Sequence, residues 1–427
     1  MDILFKNATV ITMDEENPYL ENAYIAINGK TIEYIGKDKP AEAAKREIDA
    51  SGKVIMPGLV NTHTHVPMTL FRGLSDDCEL NDWLFNHIFP AEDKLTEEKV
   101  YAGTSLALCE MLAFGTTSFS DSYFFTDAIF DATLASGIKA NLSRSIVGSG
   151  EGFEAMPSVL EMQSLIEKAK SLGEGRVFAD ISIHAEYTSE TLCRQKVAEY
   201  AKKNGLILQI HTSETKSEHE ECIKKYGRTP TEQFEYEGLF EGVKPLLAHC
   251  CYVTEEDMEI IKRHSGSVAH CPCSNLKLAS GVAPVLKMQE KGINVTLGTD
   301  GVASNNNTDM FEEIKLFAIL HKGINNDPTA IDALTALRTA TVNGARAQGR
   351  ENTGVLRTGF SADLIMLDFN RPHLTPVYNP VSNITYAASG SDVALTMVDG
   401  KILYENGEFK TLDVERIMHN VKAFLTA

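Results

Sequence analysis

Between about residues 56 and 350, short apolar runs alternate with amphipathic stretches, and this alternation constrains the fold more than any other feature of the chain. Stretches such as EEKVYAGTSLALCEMLAFG have helical periodicity, and eight runs have the length and apolar content of buried strands. The eight runs are VIMPGLVNTH, TTSFSDS, KANLSRSI, VFADISIHA, LILQIHTSE, KPLLAHC, GSVAHCP and INVTLGTD. Repeated strand–helix units build a parallel sheet covered by helices, and eight of them predict an α/β fold with a closed (β/α)8 barrel. A doubly wound open sheet is the alternative, which the lack of a GxGxxG motif after the first strand disfavours.

The two ends of the chain have a different pattern from the middle. They consist of short runs rich in β-branched residues, separated by turn residues such as Asn28-Gly29, Asp399-Gly400 and Asn406-Gly407. The sequence therefore predicts a small β-sandwich domain built from residues 1–55 and 352–427, which closes with a helix from about Asp413 to Leu425. A barrel catalytic domain is expected at residues 56–351.

Six polar residues follow predicted barrel strands at the point where each strand ends. The carboxyl ends of barrel strands meet at one rim, where barrel enzymes build their active sites. One such coincidence would mean little, but six together predict a catalytic site at this rim. The six residues are His63, His65, His184, His211, His249 and Asp300.

Individually these residues have competing interpretations. His63 and His65 are two apart on an extended segment, so both imidazoles point to the same side and can converge on one transition-metal ion. Glu214, three residues after His211, can reach a water held by such an ion, or it can cap the helix that follows. Asp300 likewise can bind the ion or cap a helix.

The composition narrows the class of partner. The chain has 59 acidic and 40 basic residues, a net charge of −19 and a pI of about 5.1. A surface this acidic repels polyanions, so we expect a small-molecule substrate and neither nucleic acid nor a membrane. The N-terminus lacks the pattern of a signal peptide, and the eight scattered cysteines are typical of reduced cytosolic thiols. We therefore expect a cytoplasmic protein.

In this order, the motifs PGLVNTHTH, IHAEYT, HTSE, LAHC, HCPCSN and TLGTDG resemble those of the amidohydrolase superfamily. The stretch from PGLVNTHTHVPMTLFRGLSDD to LNDWLFNHIFPAE is most similar to the S-adenosylhomocysteine and methylthioadenosine deaminases of its aminohydrolase branch. The resemblance implies one divalent metal ion per subunit, with Zn²⁺ expected and Fe²⁺ also compatible, and a homo-oligomer. The ligands of this ion would be His63, His65, His211 and Asp300. The binuclear members have a lysine at the end of the fourth strand, whereas VFADISIHAEYT has none, which argues for one ion.

The same resemblance implies the other site residues. Glu214 would shuttle protons and His249 would orient the water and the substrate, while Asp300 would also accept a proton. The substrate-binding residues would be Trp83, Glu92, Arg144, His184 and Ser304. Core packing for Trp83, a surface position for Glu92 and a structural ion pair for Arg144 are the competing interpretations. The loop GSGEGFEAMPSVLE carries no basic residue, which argues against a strong preference for a substrate with a carboxylate.

Three functions remain in view. The first is hydrolytic deamination of adenosine-type nucleosides: S-adenosylhomocysteine, methylthioadenosine, 5′-deoxyadenosine or adenosine. The second is an aminohydrolase or chlorohydrolase that acts on another heterocycle, such as guanine, cytosine, a pterin or a triazine. The third is a scaffold without catalysis, which the intact set of ligands disfavours.

Overall fold

A computed structural model describes residues 1–78 and 82–424 of the protein. The strands alternate with helices through the middle of the chain and dominate both ends. In chain order they are β1 (Ile3–Ile11), β2 (Tyr19–Asn28), β3 (Thr31–Gly36), β4 (Arg46–Asp49), β5 (Lys53–Pro57), β6 (Leu59–Thr64), β7 (Thr116–Tyr123), β8 (Lys139–Ile146), β9 (Val177–Ala179), β10 (Ile181–Ile183), β11 (Ile207–Thr212), β12 (Lys244–His249), β13 (Ser267–His270), β14 (Asn294–Leu297), β15 (Leu364–Asp368), β16 (Val393–Val398), β17 (Lys401–Glu405) and β18 (Glu408–Phe409).

The helices mostly follow the strands of the middle region. They are α1 (Phe89–Glu92), α2 (Glu97–Ala113), α3 (Thr126–Ser136), α4 (Pro157–Leu172), α5 (Thr191–Asn204), α6 (Lys216–Tyr226), α7 (Pro230–Tyr236), α8 (Glu255–Arg263), α9 (Pro272–Lys277), α10 (Val285–Glu290), α11 (Val302–Asn305), α12 (Met310–Asn325), α13 (Ala333–Thr339), α14 (Val342–Ala347), α15 (Pro380–Tyr386) and α16 (Val414–Phe424). A π-helix at Trp83–Ile88 and a 3₁₀ helix at Val66–Phe71 follow the first barrel strand. The predicted final helix is present, and its expected last residue, Leu425, lies outside the described residues.

The middle of the chain forms the predicted barrel. Its strands pair in parallel in the order β6-β7-β8-β10-β11-β12-β13-β14, and the short β9 pairs with β8. The barrel closes where the backbone N–H of Asp300 donates to the carbonyl oxygen of His63 over 2.9 Å. All eight predicted runs contribute to it. The single run VFADISIHA contributes both β9 and β10, which Asp180 separates.

The two chain ends form one mixed sheet, as their pattern predicted. Its order is β18-β17-β16-β15-β5-β1-β2-β3, and β4 pairs with β1. The join between the ends is the antiparallel pair of β5 and β15. A buried lysine ties this sheet to the barrel, because the Nζ atom of Lys139 in β8 lies 2.5 Å from Asp363 and 2.6 Å from Asp399.

The backbone at the rim is shaped for close contact between strand ends. His249 and Asp300 adopt positive φ angles of 70° and 61°, a backbone conformation that is uncommon for non-glycine residues. A side chain at Gly298 would lie only 2.7 Å from the Cβ atom of His63, so glycine is required where β14 approaches β6. In the described part of the chain, no helix combines the length and the apolar content needed to cross a membrane.

Candidate active site

Four histidines and one carboxylate meet at the carboxyl-end rim of the barrel. The ring of His63 lies 5.0 Å from the ring of His65, 4.9 Å from that of His211 and 5.3 Å from that of His249, measured between centroids. The Oδ1 atom of Asp300, which follows β14, lies 3.5 Å from the Nε2 atom of His63 and 3.4 Å from that of His65. The strand-end positions thus place these residues around one point.

Backbone carbonyls determine which ring nitrogens face that point. The Nδ1 atom of His65 lies 2.7 Å from the carbonyl oxygen of Ser122, and that of His211 lies 2.7 Å from the carbonyl oxygen of His184. A carbonyl oxygen only accepts hydrogen bonds, so each Nδ1 atom carries the proton and donates it. In the neutral rings, the Nε2 atoms therefore keep their lone pairs. They face each other at 3.3 Å, an arrangement that a cation between them would stabilise.

The spacing of these atoms suits a divalent metal ion. Nitrogen or oxygen ligands placed about 2.0–2.1 Å from a tetrahedral ion are separated from each other by about 3.3–3.4 Å. The Nε2 atoms of His65 and His211 and the Oδ1 atom of Asp300 have separations of 3.3 and 3.4 Å. The Nε2 atom of His63 is buried and has no hydrogen-bond partner among the described residues. A buried polar atom of this kind normally has a partner, and an ion would supply it.

The protonation states also suit metal binding. Burial lowers the pKa of His63 to about 4 and the pKa of His211 well below its usual value of 6.5, so both rings are neutral at pH 7. Burial by itself would raise the pKa of Asp300, but the adjacent imidazole of His63 and those of His249 and His65 lower it well below 3.8. Neutral imidazoles and an ionised carboxylate are the forms that bind metals.

Glu214 and His249 form a pair beside the four residues that could bind the ion, which are His63, His65, His211 and Asp300. The Oε2 atom of Glu214 lies 3.7 Å from the Nε2 atom of His249, whose Nδ1 atom donates to the Oδ1 atom of Asn275 over 2.8 Å. The Oε1 atom of Glu214 accepts a hydrogen bond of 3.2 Å from Ser280. Burial opposes protonation of His249, but the carboxylates of Glu214 and Asp300 outweigh it and raise its pKa above 6.5.

Neither candidate carboxylate caps a helix. Thr215 is the N-cap of α6 and forms a capping box with Glu218, so the side chain of Glu214 is left to face the cavity. Glu218 also accepts hydrogen bonds from the backbone N–H groups of Ser213 and Glu214, at 3.0 and 2.7 Å.

At the last strand end, Gly301 rather than Asp300 precedes α11. The Oδ2 atom of Asp300 accepts hydrogen bonds from the hydroxyls of Ser274 and Ser304, at 2.7 and 3.1 Å. Both carboxylates are therefore available for chemistry, and the capping interpretations do not describe them.

A cleft opens from the histidines and carboxylates at the rim to the surface of the protein. It encloses about 810 Å³ not filled by protein atoms, part of which is open solvent. Four of the five predicted substrate-binding residues line it: Trp83, Glu92, His184 and Ser304. The Nδ1 atom of His184 is shielded from solvent and has no hydrogen-bond partner in the described part of the chain. The remaining lining residues are His65, Met68, Leu84, Ile88, Phe89, Ser122, Tyr123, Phe124, Ser145, Tyr187, His211, Glu214, His249, Leu278 and Asp300.

The fifth predicted substrate-binding residue, Arg144, is placed differently. Its Nε atom lies 2.6 Å from the Oε2 atom of Glu161, and its Nη1 atom donates to the carbonyl oxygen of Ser145. The guanidinium lies 6.0 Å from the ring of Phe124, which lines the cleft, whereas Arg144 is not among the described lining residues. The arrangement is that of a structural ion pair behind the cleft wall.

Arg72, which directly follows the 3₁₀ helix at Val66–Phe71, is also engaged elsewhere. It pairs with Glu110 and donates to the carbonyl oxygen of Asn306. The described lining of the cleft consequently contains no lysine or arginine.

Four residues of the site were not singled out from the sequence. Tyr123 and Tyr187 line the cleft; Tyr123 directly follows the predicted strand run TTSFSDS, and Tyr187 lies within the motif IHAEYT. Asn275, which orients His249, lies in the motif HCPCSN. For Ser280, which contacts Glu214, no local signal exists. The eight cysteines, predicted to be unpaired, are all free thiols.

An eight-stranded parallel barrel with imidazoles and a carboxylate at its carboxyl-end rim defines the class of metal-dependent barrel hydrolases. The sequence comparison agrees with this class. Residues 54–403 match the amidohydrolase family, and the chain belongs to that family.

Two relatives show the subgroup predicted from the motifs. The 5-methylthioadenosine/S-adenosylhomocysteine deaminase of Thermoanaerobacter pseudethanolicus is 43% identical over 423 residues, which cover 99% of this chain and 98% of that protein. The 5′-deoxyadenosine deaminase of Methanosarcina acetivorans is 44% identical over 421 residues, which cover 99% of this chain and 97% of that protein. The predicted resemblance is therefore confirmed.

Solved structures share the whole architecture. An adenosine deaminase from Xanthomonas campestris with bound zinc superimposes with a TM-score of 0.93 at 32% identity, over 100% of this chain and 98% of that one. An atrazine chlorohydrolase from Arthrobacter aurescens, complexed with zinc, has a TM-score of 0.91 at 25% identity, over 99% of this chain and 100% of that one. The barrel with a sheet from both chain ends is thus confirmed.

Proposed function

We propose that this protein is a metal-dependent hydrolytic deaminase of adenosine-type nucleosides. It would replace the exocyclic amino group of the base with an oxygen from water and release ammonia and the inosine analogue. The observation that carries the proposal is that side chains able to bind a metal ion, the pair of Glu214 and His249, and a cleft lined by His184 lie together at one rim. Relatives more than 40% identical over nearly the whole chain are named as deaminases of such nucleosides.

The ligands proposed for one divalent ion are His63, His65, His211 and Asp300. Zn²⁺ is the expected ion, and Fe²⁺ accepts the same ligands. When bound, such an ion lowers the pKa of a water to about 7 and so supplies a nucleophile at neutral pH. The hydrogen bonds from His65 and His211 to backbone carbonyls orient the two rings for this task.

The protein's own side chains would move the protons. Glu214 takes a proton from the attacking water at Oε2 and delivers it to a ring nitrogen of the base, which activates the adjacent carbon. Asp300 accepts the remaining proton and passes it to the departing ammonia. In its protonated form, which the carboxylates of Glu214 and Asp300 favour, His249 would donate from Nε2 to the oxygen that becomes negative during attack.

The cleft would orient the nucleoside. The imidazole of His184, which lines the cleft, would contact the base, and Ser304 would contact the base from beside Asp300. Trp83 packs over the sugar or the 5′ substituent, and Glu92 accepts hydrogen bonds from the ribose hydroxyls. We further propose that the protein is a cytoplasmic homo-oligomer, with the barrel at residues 56–351 as the catalytic domain and both chain ends as the second domain.

A panel of substrates assayed for released ammonia tests the proposal. Adenosine, 5′-deoxyadenosine, methylthioadenosine and S-adenosylhomocysteine should be deaminated, while adenine, guanine and cytosine should react poorly. A triazine belongs in the panel because an atrazine chlorohydrolase shares the whole architecture at 25% identity. Efficient turnover of a free base or a triazine, with no turnover of nucleosides, would contradict the proposal in favour of another heterocycle.

A further inference from the structure

The carboxylate of Glu92 is held by one hydrogen bond, from a buried tyrosine. The hydroxyl of Tyr123 donates to the Oε1 atom of Glu92 over 2.5 Å. No other hydrogen bond to the side chain of Glu92 occurs among the described residues, so its Oε2 atom remains open to the cleft that Glu92 lines. The side chain of Tyr123 is only 5% exposed, so the hydroxyl has a defined position.

The surroundings of Glu92 make that open oxygen a strong acceptor. The nearby cleft wall is largely apolar and includes Trp83, Ile88 and Phe89. Burial raises the pKa of Glu92, although the hydrogen bond from Tyr123 opposes the rise. A half-buried carboxylate in such a place is stabilised by additional donors. An ionised carboxylate has about four acceptor positions, so it can receive the phenol and both hydroxyls of a vicinal diol.

The end of strand β7 links the carboxylate of Glu92 to the proposed metal ligand His65. Tyr123 is the last residue of β7, and its ring stacks on Phe124 with centroids 4.2 Å apart. The residue before it, Ser122, accepts the hydrogen bond that orients His65. Two consecutive residues of one strand therefore orient a proposed metal ligand and Glu92. Because a strand is rigid, the separation between the two anchors is also defined.

We propose that Tyr123 is a positioning residue for the sugar. Its hydroxyl holds the Glu92 carboxylate so that the open oxygen accepts hydrogen bonds from the 2′- and 3′-hydroxyls, and this hold determines the preference for ribonucleosides. The inference rests on the proposed function, since it concerns how the same cleft recognises its nucleoside. Tyr123 acts through Glu92 and does not take part in the chemistry.

The test compares kcat/KM for adenosine and for 2′,3′-dideoxyadenosine, which lacks the diol. Tyr123→Phe removes only the hydroxyl. It should lower kcat/KM for adenosine by about 10-fold to 100-fold, which corresponds to the usual free energy of a hydrogen bond to a charged group. It should change kcat/KM for the dideoxy substrate little. Tyr187→Phe is the matched comparator, as it makes the same change at another tyrosine of the cleft. It should leave the ratio of kcat/KM for adenosine to kcat/KM for 2′,3′-dideoxyadenosine as it is in the wild type.

A double variant identifies the route of the effect. In a Glu92→Gln background, Tyr123→Phe should cause almost no further decrease in the ratio of kcat/KM for the two substrates, because Tyr123 and Glu92 act as one unit. Equal losses on both substrates in an active enzyme would overturn the inference and leave the proposed function intact. Absence of ammonia from both nucleosides with the wild type would overturn the inference and the proposed function together. If Tyr123→Phe does not fold, Tyr123→Leu also lacks the hydroxyl and has the same readout.

Discussion

The imidazole of His211 donates a hydrogen bond of 2.7 Å from Nδ1 to the backbone carbonyl oxygen of His184. A proposed metal ligand on β11 is thus oriented by the main chain at the end of β10, whereas the side chain of His184 faces the cleft. The backbone of His184 thus orients a proposed metal ligand, and its imidazole is the group that we propose contacts the base. One residue would serve both the ion, through its backbone, and the substrate, through its side chain.

Glu214→Gln should retain the metal and lose turnover. The substitution preserves the shape of the side chain but removes its capacity to accept and deliver a proton, which is worth about 10²–10⁴-fold in rate. The measurements are kcat and metal content per subunit. Turnover close to that of the wild type would remove Glu214 from the shuttle role.

His63→Ala should instead reduce metal occupancy. It deletes a proposed ligand whose Nε2 atom is buried and has no hydrogen-bond partner among the described residues. Metal content by elemental analysis is the readout, and His419→Ala is the control, because His419 is exposed on α16. A wild-type metal content in His63→Ala protein would show that His63 is not a ligand.

Glu92→Ala should reduce kcat/KM strongly for nucleosides and barely for free adenine. Remote binding energy from the sugar orients the base for attack, so a substrate without the sugar loses rate as well as affinity. Kinetics on adenosine and adenine, for wild type and variant, measure the effect. Comparable losses on the two substrates would mean that Glu92 supports the site in general.

Substrates with a neutral 5′ group should have a higher kcat/KM than S-adenosylhomocysteine. No lysine or arginine lines the described cleft, and Arg144 is paired with Glu161, so a substrate carboxylate would lose water without gaining a charged partner. Arg144→Gln should therefore affect 5′-deoxyadenosine and S-adenosylhomocysteine alike. A selective loss of S-adenosylhomocysteine in that variant would place Arg144 at the substrate.

Asp14→Asn should destabilise the sheet of the chain ends in a pH-dependent way. The Arg357 guanidinium donates to both oxygens of Asp14, at 2.8 and 2.6 Å, and lowers the pKa of that carboxyl below 3.8. A carboxyl with a lowered folded-state pKa stabilises the fold above the unfolded-state pKa and loses this contribution as the pH falls through the folded-state pKa. Urea unfolding at neutral pH should show a loss of about 1 kcal/mol, typical of a partly exposed pair. The difference from wild type should vanish in acid, and a difference independent of pH would contradict the pair.

Much of the barrel could be predicted because strand and helix periods are local properties. All eight runs contribute to the sheet, and the positions of His63, His211 and Asp300 at strand ends were sufficient to predict that they meet. The break between β9 and β10 was not predicted, because the run VFADISIHA has no glycine or proline and a single aspartate is a weak turn signal. In the structure the side chain of Asp180 accepts hydrogen bonds from Asn141 and Gln209 inside the barrel.

The sequence by itself determined the barrel, the sheet of the chain ends and the group of residues at the rim, since these follow from periodicity and from where strands end. Only the tertiary structure decided the partners of individual side chains. Arg144 could reach a substrate or Glu161, and Tyr123 had no sequence signal that linked it to Glu92. Such choices depend on distances of a few ångströms between segments far apart in the chain, and no local pattern carries that information.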